Sequence, residues 1–342
     1  AMAFLSLFAV VMLSSCTIQS SLSTSSLPEV PLYTNPTQGH RDSPDPGVIH
    51  HNYSFFAVTT GGWDNHFFPI WHSQDLTGWE HVGWGMGSSP SWTSENHWAP
   101  EIHKVDGRLN LYYTSRDKKT GRLCIGVRTA AHILGPWVDL GTPLHQHPTL
   151  GIIDATIMWV ETRPYLVWKV DGNAVKLPTP IYAAPLDSRG TRIEGNETLL
   201  ITDDQSWEHG IVEGPWILQP GGTYTYLFYS GCGYASPCYG VGVARANHPL
   251  GPYEKFSGNP ILHTRDPDTP PAFEGPGHCS VLPPPPGAPP GLPHAIVYHA
   301  WRHGEAGKGH RVMMLDALTF GPDDWPIVGK GFPSENHHLA PF

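Results

Sequence analysis

Charged residues are scarce in this chain. They make up 15% of 342 residues, the net charge is -10 at pH 7, and no basic run occurs. Without a lysine- or arginine-rich patch, nucleic acid is not expected as a partner. The acidic balance alone does not indicate a ligand of either sign. Long hydrophobic runs are also missing. The apolar run Phe4 to Leu13 has ten residues, too few to span a bilayer, so no membrane span is expected. Helical periodicity is absent as well: no segment keeps an apolar period of 3.6 residues for three turns. Cysteine is sparse, at five residues, and no second cysteine pair supports a zinc site.

The run Phe4 to Leu13 has the length of a signal-peptide core, although a basic n-region is lacking. Residues 1–35 therefore read as a signal peptide and a flexible Ser/Thr-rich lead-in, and residues 36–342 as one domain of a secreted protein. "LSSC", Leu13 to Cys16, has the form of a bacterial lipoprotein cleavage site, which makes anchoring at Cys16 the alternative. Cys232 and Cys238 lie close together in "SGCGYASPCYG", where a small-loop disulfide suits an exported protein. Cys124, in "RLCIGV", reads as a buried thiol. No feature calls for a partner chain, and a monomer is expected.

Glycine, proline and aromatic residues are plentiful, with 37 Gly, 36 Pro, 13 Trp and 13 Tyr. Short segments such as "YSFFAVTT", "RLNLYYTS", "RPYLVWKV", "TYTYLFYS" and "HAIVYHAW" are aromatic and β-branched, and turn residues bound them. This is an all-β chain, and it repeats. "HSQDLTGWEHVG", "AAHILGPWVDLG" and "ANHPLGPYEKFSG" share one form. Strand starts recur at Asp45, Glu101, Asp154, Glu213 and His278, with a spacing of roughly 58 residues. Four strands in each repeat and five starts predict a five-bladed β-propeller with a polar funnel at its axis. The innermost strand of a blade is buried on both faces yet ends at that funnel. This accounts for a carboxylate in the apolar stretch "IVEGPWI", Ile211 to Ile217.

The order and spacing of "SPDPGVI", "HSQDLTGW", "HWAPEIH", "IIDATI", "VEGPWI", "GPGHCSV" and "RVMMLDALTFGPDDWP" carry a resemblance over about residues 36 to 330. The chain resembles glycoside hydrolase family 43, five-bladed propellers that cleave arabinosides and xylosides. The resemblance implies Asp45 as general base and Glu213 as general acid, with inversion at the anomeric carbon. It implies Asp154 as a third carboxylate that raises the acid's pKa and orients it. Trp98 and Arg311 would shape the sugar pocket, and His278 would ligate an axial ion, often calcium. Glu101 reads as structural or supporting. Gly47 departs from the family's pattern, which usually has serine or another small residue after Asp-Pro, with little consequence expected. "PPPPGAPPGLP", Pro283 to Pro293, reads as a stiff hairpin insert.

The chemistry agrees with these roles. Glycoside hydrolysis needs one ionised and one protonated carboxyl group. A neighbouring charge on Asp154 would favour protonated Glu213, and Arg311 would keep Asp45 ionised. The expected activity is that of an exo-acting α-L-arabinofuranosidase on arabinan or arabinoxylan. The alternatives are a β-xylosidase or endo-arabinanase of the same family, the former suggested by "FFPIWHS", and a carbohydrate-binding propeller that has lost catalysis. The three carboxylates argue against the last.

Overall fold

The computed structural model describes residues 31–265 and 270–342. The expected signal peptide and Cys16 lie outside the described residues. Five antiparallel sheets follow one another along the chain. Blade 1 contains Gly47–His51, Ser54–Val58, His66–Ser73 and Glu80–Met86, with the short strand Gly62–Trp63 at its side. Blade 2 contains Trp98–Val105, Arg108–Arg116, Leu123–Ala130 and Val138–Asp139. Blade 3 contains Ile152–Val160, Arg163–Val170, Ile181–Pro185 and Thr198–Ile201. Blade 4 contains Val212–Leu218, Thr225–Gly231, Gly240–Ala246 and Glu254–Lys255. Blade 5 contains Phe273–Leu282, His294–Arg302, Val312–Phe320 and Pro326–Val328. The first strand of each blade packs against the first strands of both neighbouring blades, and the fifth closes on the first. This is the predicted five-bladed propeller.

Two-residue periodicity in the strands sends alternate side chains to opposite faces of a blade. Leu166 packs with Tyr112 and Val127 between blades 2 and 3, while Val167 packs with Leu227 and Tyr229 between blades 3 and 4. Tyr298 and Val297 divide in the same way between the two faces of blade 5. Each blade is thus apolar on both sides, which is why its strands read as nearly continuous apolar runs. Burying one such side chain contributes about 1.5–3 kcal/mol. Leu166→Ala would open a cavity costing about 2–5 kcal/mol.

The ring is fastened near its ends. Leu32–Tyr33 pairs with His338–Leu339, ahead of the expected domain start at residue 36. Gln38 bridges Met313, and the Tyr33 hydroxyl donates to the Leu315 carbonyl at 2.7 Å. Asn35 donates to that carbonyl and accepts the Leu315 N–H, both at 2.9 Å. The insert at 283–293 joins the first two strands of blade 5, as expected. Gly47 has a consequence the sequence did not reveal. A Cβ there would sit 2.5 Å from the Pro100 carbonyl oxygen, so glycine is what lets the inner strands of blades 1 and 2 approach. Among the described residues, no helix is long and apolar enough to cross a membrane.

Candidate active site

The site is built by one backbone device repeated five times. Asp45, Ala99, Asp154, Gly214 and His278 all have positive φ, between 43° and 59°. In blades 2 to 5 this residue sits at a register shift of the inner strand, and Asp45 lies just before its strand. Each N–H freed from the ladder is taken by a side chain of the preceding blade. Ala99 donates to Thr60 Oγ1 at 2.6 Å and Asp154 to Thr114 Oγ1 at 3.1 Å. Gly214 donates to Asp154 Oδ2 at 2.9 Å and His278 to Ser230 Oγ at 2.8 Å. Asp45 donates to His299 Nδ1 at 3.1 Å. Left-handed backbone costs a non-glycine residue about 1–3 kcal/mol, and these cross-blade bonds hold it. A bulge re-aims a side chain, and here it turns strand ends toward the axis.

This register differs from the one expected for two blades. The equivalent positions are Ala99 and Gly214, not Glu101 and Glu213. Glu101 lies past the bulge, where its Oε2 is 2.8 Å from His103 Nε2, and it does not line the axial cavity. Glu213 precedes the bulge and does line it.

The axial cavity has a volume of about 300 Å³ and takes residues from all five blades. It brings together Asp45, Asp154, Glu213, Trp98, Arg311 and His278, every site residue inferred from sequence. A larger cavity of about 480 Å³ runs along blade 2 past Arg108, Asp139 and Arg189, and none of these candidates lines it.

Environment separates the three carboxylates. Asp45 is buried, which opposes ionisation, but Arg311 Nη1 at 3.3 Å and His278 Nδ1 at 3.5 Å from its Oδ1 hold it well below the usual carboxylate range. Glu213 is also buried. Lys169 Nζ donates to its Oε2 at 2.8 Å and the Tyr239 hydroxyl to its Oε1 at 2.8 Å, and together they hold it below the ordinary glutamate value. Asp154 is pushed up to about 6 by burial, with the Glu213 charge adding to this against His278 and Lys169. The expectation was the reverse, a proton on Glu213 favoured by ionised Asp154 in an apolar rim. Lys169 makes the difference. Within the pair Glu213 ionises first and Asp154 keeps its proton to higher pH.

The residues near His278 bear on the expected ion. His299 Nδ1 accepts the Asp45 N–H, so its proton lies on Nε2, and neither nitrogen is free to bind a cation. Burial holds His299 down at about 4. Among the described residues, no group of three or more His, Cys, Asp or Glu could hold a metal ion. Calcium takes six to eight oxygen ligands. His278, whose charge helps hold Asp45 ionised, has no lone pair to offer a cation while protonated, so among the described residues the donor set does not fit the expected ion, and no catalytic step is assigned to it.

The model of glycosyl hydrolases family 43 matches residues 33–326. The chain belongs to glycosyl hydrolase family 43. It is a glycoside hydrolase acting on O-glycosyl bonds. A β-D-galactofuranosidase of Aspergillus niger is 36% identical over 274 residues, 74% of this chain and 72% of that protein. An extracellular exo-α-(1→5)-L-arabinofuranosidase of Streptomyces avermitilis is 26% identical over 72% of this chain, which spans 53% of its length. The crystal structure of a thermostable family-43 glycoside hydrolase has a TM-score of 0.80 at 31% identity, covering 91% of this chain and 99% of that one.

Four residues of this family-43 site escaped sequence reasoning: Lys169, Tyr239, His299 and Tyr234. Lys169 left a signal. It sits in the apolar strand "RPYLVWKV", opposite Ile153 in the register, and a fully buried ammonium requires an anion. Tyr239 meets Glu213 within blade 4 at a separation of 26 residues, His299 and Tyr234 meet their partners across blades, and none of the three leaves a local pattern. The disulfide inferred between Cys232 and Cys238 is present, and Cys124 and Cys279 are buried free thiols.

Proposed function

We propose that the chain is an exo-acting α-L-arabinofuranosidase that removes terminal arabinose from plant cell-wall arabinan or arabinoxylan with inversion. The observation that carries this reading is the convergence of three differently tuned carboxylates in a cavity of about 300 Å³. That is the small end of ligand-site volumes, suited to one sugar ring and not to a bound polymer. Ionised Asp45 takes a proton from water as its oxygen attacks the anomeric carbon. The glycosidic C–O bond breaks, and Glu213 gives its proton to the departing oxygen. The Asp154–Glu213 pair carries the proton required. Donation needs it on Glu213, so the Lys169 contact loosens as the leaving oxygen arrives. Asp171 Oδ1, 3.5 Å from Lys169 Nζ, offers the ammonium a second anchor. Trp98 and Arg311 shape the sugar site. Action outside the cell, as a monomer, completes the reading, and the extracellular names of the Streptomyces relative and of a Bacillus subtilis endo-arabinanase support its location.

A second reading has specific support. The Aspergillus relative is named a β-D-galactofuranosidase. β-D-Galactofuranose has the ring stereochemistry of α-L-arabinofuranose plus one hydroxymethyl group on its exocyclic carbon. One such group in a pocket shifts selectivity by only about 1–3 kcal/mol. Rates on 4-nitrophenyl α-L-arabinofuranoside, β-D-galactofuranoside and β-D-xylopyranoside, with product analysis on linear arabinan, test both. The arabinofuranoside should be fastest and arabinan should yield only arabinose. Preference for galactofuranoside would establish the second reading, and release of oligosaccharides would refute exo action.

A further inference from the structure

One segment touches both sides of the carboxylate site. The chain leaves blade 4 after Thr225–Gly231 and returns at Gly240–Ala246, and between them a disulfide joins Cys232 to Cys238. Directly after Cys238 comes Tyr239, whose hydroxyl holds Glu213 at 2.8 Å. Inside the closed loop is Tyr234. Its carbonyl accepts the indole N–H of Trp301, from blade 5, at 2.8 Å. The Arg311 guanidinium lies 5.2 Å from the Tyr234 ring centre, and the same guanidinium holds Asp45.

Tyr234 is unusual among the aromatics of this site. It lines the cavity, its backbone is pinned, and yet it is 51% exposed. A tyrosine fixed at a cavity mouth with half its surface uncovered is arranged to contact something outside the chain. Its ring has an apolar face and a polar tip. That suits a sugar, which presents C–H groups on one side and hydroxyls at the edge. Arg311 beside the ring supplies donors for those hydroxyls. Without the disulfide, this Gly-, Ser- and Pro-containing loop would have many more conformations available, and closing it removes that freedom.

We propose that Tyr234 is the aromatic wall against which the bound sugar packs, and that the Cys232–Cys238 clasp fixes it there and so sets substrate affinity. The proposal rests on the cavity being the sugar site of the proposed glycosidase. It also makes affinity redox-sensitive, since a thiol reductant that cleaves the S–S bond to two thiols frees the loop.

The test is a kinetic cycle on the aryl furanoside that the wild type hydrolyses fastest. Wild type, Tyr234→Ala and Tyr234→Phe are each assayed before and after treatment with dithiothreitol, and Cys232→Ser/Cys238→Ser is assayed untreated. Thermal melting accompanies every sample. Tyr234→Ala should raise KM about 2- to 10-fold, the range of one aromatic packing contact, while Tyr234→Phe keeps the wild-type KM. Reduction, or the double serine variant, should raise KM in the same direction. Reduction should add nothing to KM in Tyr234→Ala. An unchanged KM in folded Tyr234→Ala would overturn the proposal. So would an equal effect of reduction on wild type and Tyr234→Ala, which would make the clasp a general scaffold. A wild type that hydrolyses no glycoside would instead remove the glycosidase reading, and this proposal with it.

Discussion

Replacing Asp154 with asparagine should move one limb of the pH profile and leave the fold intact. Asn keeps an oxygen that can accept the Gly214 N–H, the 2.9 Å bond that holds the blade 4 bulge. What disappears is a charge. In the wild type, Asp45 stays ionised far into the acid range because Arg311 and His278 hold it there. The Asp154–Glu213 pair binds a proton up to a value near 6, set by burial and by repulsion between the two groups. Activity should therefore be flat on the acid side and fall above about pH 6, approaching tenfold per unit. By pH 7, about one site in ten would retain the proton. In Asp154→Asn, Glu213 loses that repulsion but keeps Lys169 2.8 Å away, so it gives up its proton earlier. The falling limb moves to lower pH, with the greatest loss at pH 6–7 and the least near pH 4.5. Lys169→Met removes the opposing charge and should move the limb to higher pH. The assay is kcat/KM on an arabino-oligosaccharide from about pH 4 to 8, with thermal melting at each end. Shifts of both variants in one direction, or an unmoved limb in Asp154→Asn, would refute the coupled-pair reasoning.

Three other outcomes follow from the same geometry. Asp45→Asn should stay folded but melt lower, because Arg311 and His278 lose their buried counter-charge, and should lose about 10²–10⁴-fold in kcat on every glycoside; near wild-type turnover in the folded variant would place the base elsewhere. His278, as a charge partner of Asp45 and not a cation ligand, predicts that His278→Ala lowers activity while chelator leaves the wild type unchanged. A chelator-induced loss of wild-type activity and melting temperature that is absent in His278→Ala would restore the ion role. Gly277→Ala would drive a Cβ into the Tyr239 ring. Overpacking of this kind costs about 1–3 kcal/mol, and moving Tyr239 disturbs Glu213, so a melting scan and an activity assay should both show a loss.

The propeller was legible because its strands are short, bounded by turn residues, and repeated in "HSQDLTGW", "AAHILGPW" and "ANHPLGPY". The site was legible as far as its side chains are chemical: Asp45, Asp154, Glu213, Trp98, His278 and Arg311 all reach one cavity. Backbone was not legible. Ala99 and Gly214 carry the left-handed bulge in blades 2 and 4, and neither has a side-chain group to announce it, so carboxylates were aligned in their place. Lys169 was visible as an isolated cation between Trp168 and Val170. Its effect on Glu213 depends on a contact between blades 3 and 4, forty-four residues apart in sequence. His299 acts through a similar crossing, to Asp45, and Tyr239 reaches Glu213 from a distant strand end of the same blade. The pKa order of the pair therefore needed coordinates, since the charge nearest Glu213 is one that no local pattern supplies.

The most direct test of the acid assignment compares two leaving groups. A sugar alcohol leaves only with a proton, while 4-nitrophenolate scarcely needs one. Glu213→Gln keeps the size of the side chain and an oxygen for Tyr239 while removing the transferable proton. Measured as kcat/KM for wild type and Glu213→Gln, the loss should be about 10²–10⁴-fold on an arabino-oligosaccharide and far smaller on 4-nitrophenyl α-L-arabinofuranoside. Equal losses on the two substrates would contradict the account, because Glu213 would then position the sugar or the water and would not protonate the leaving oxygen.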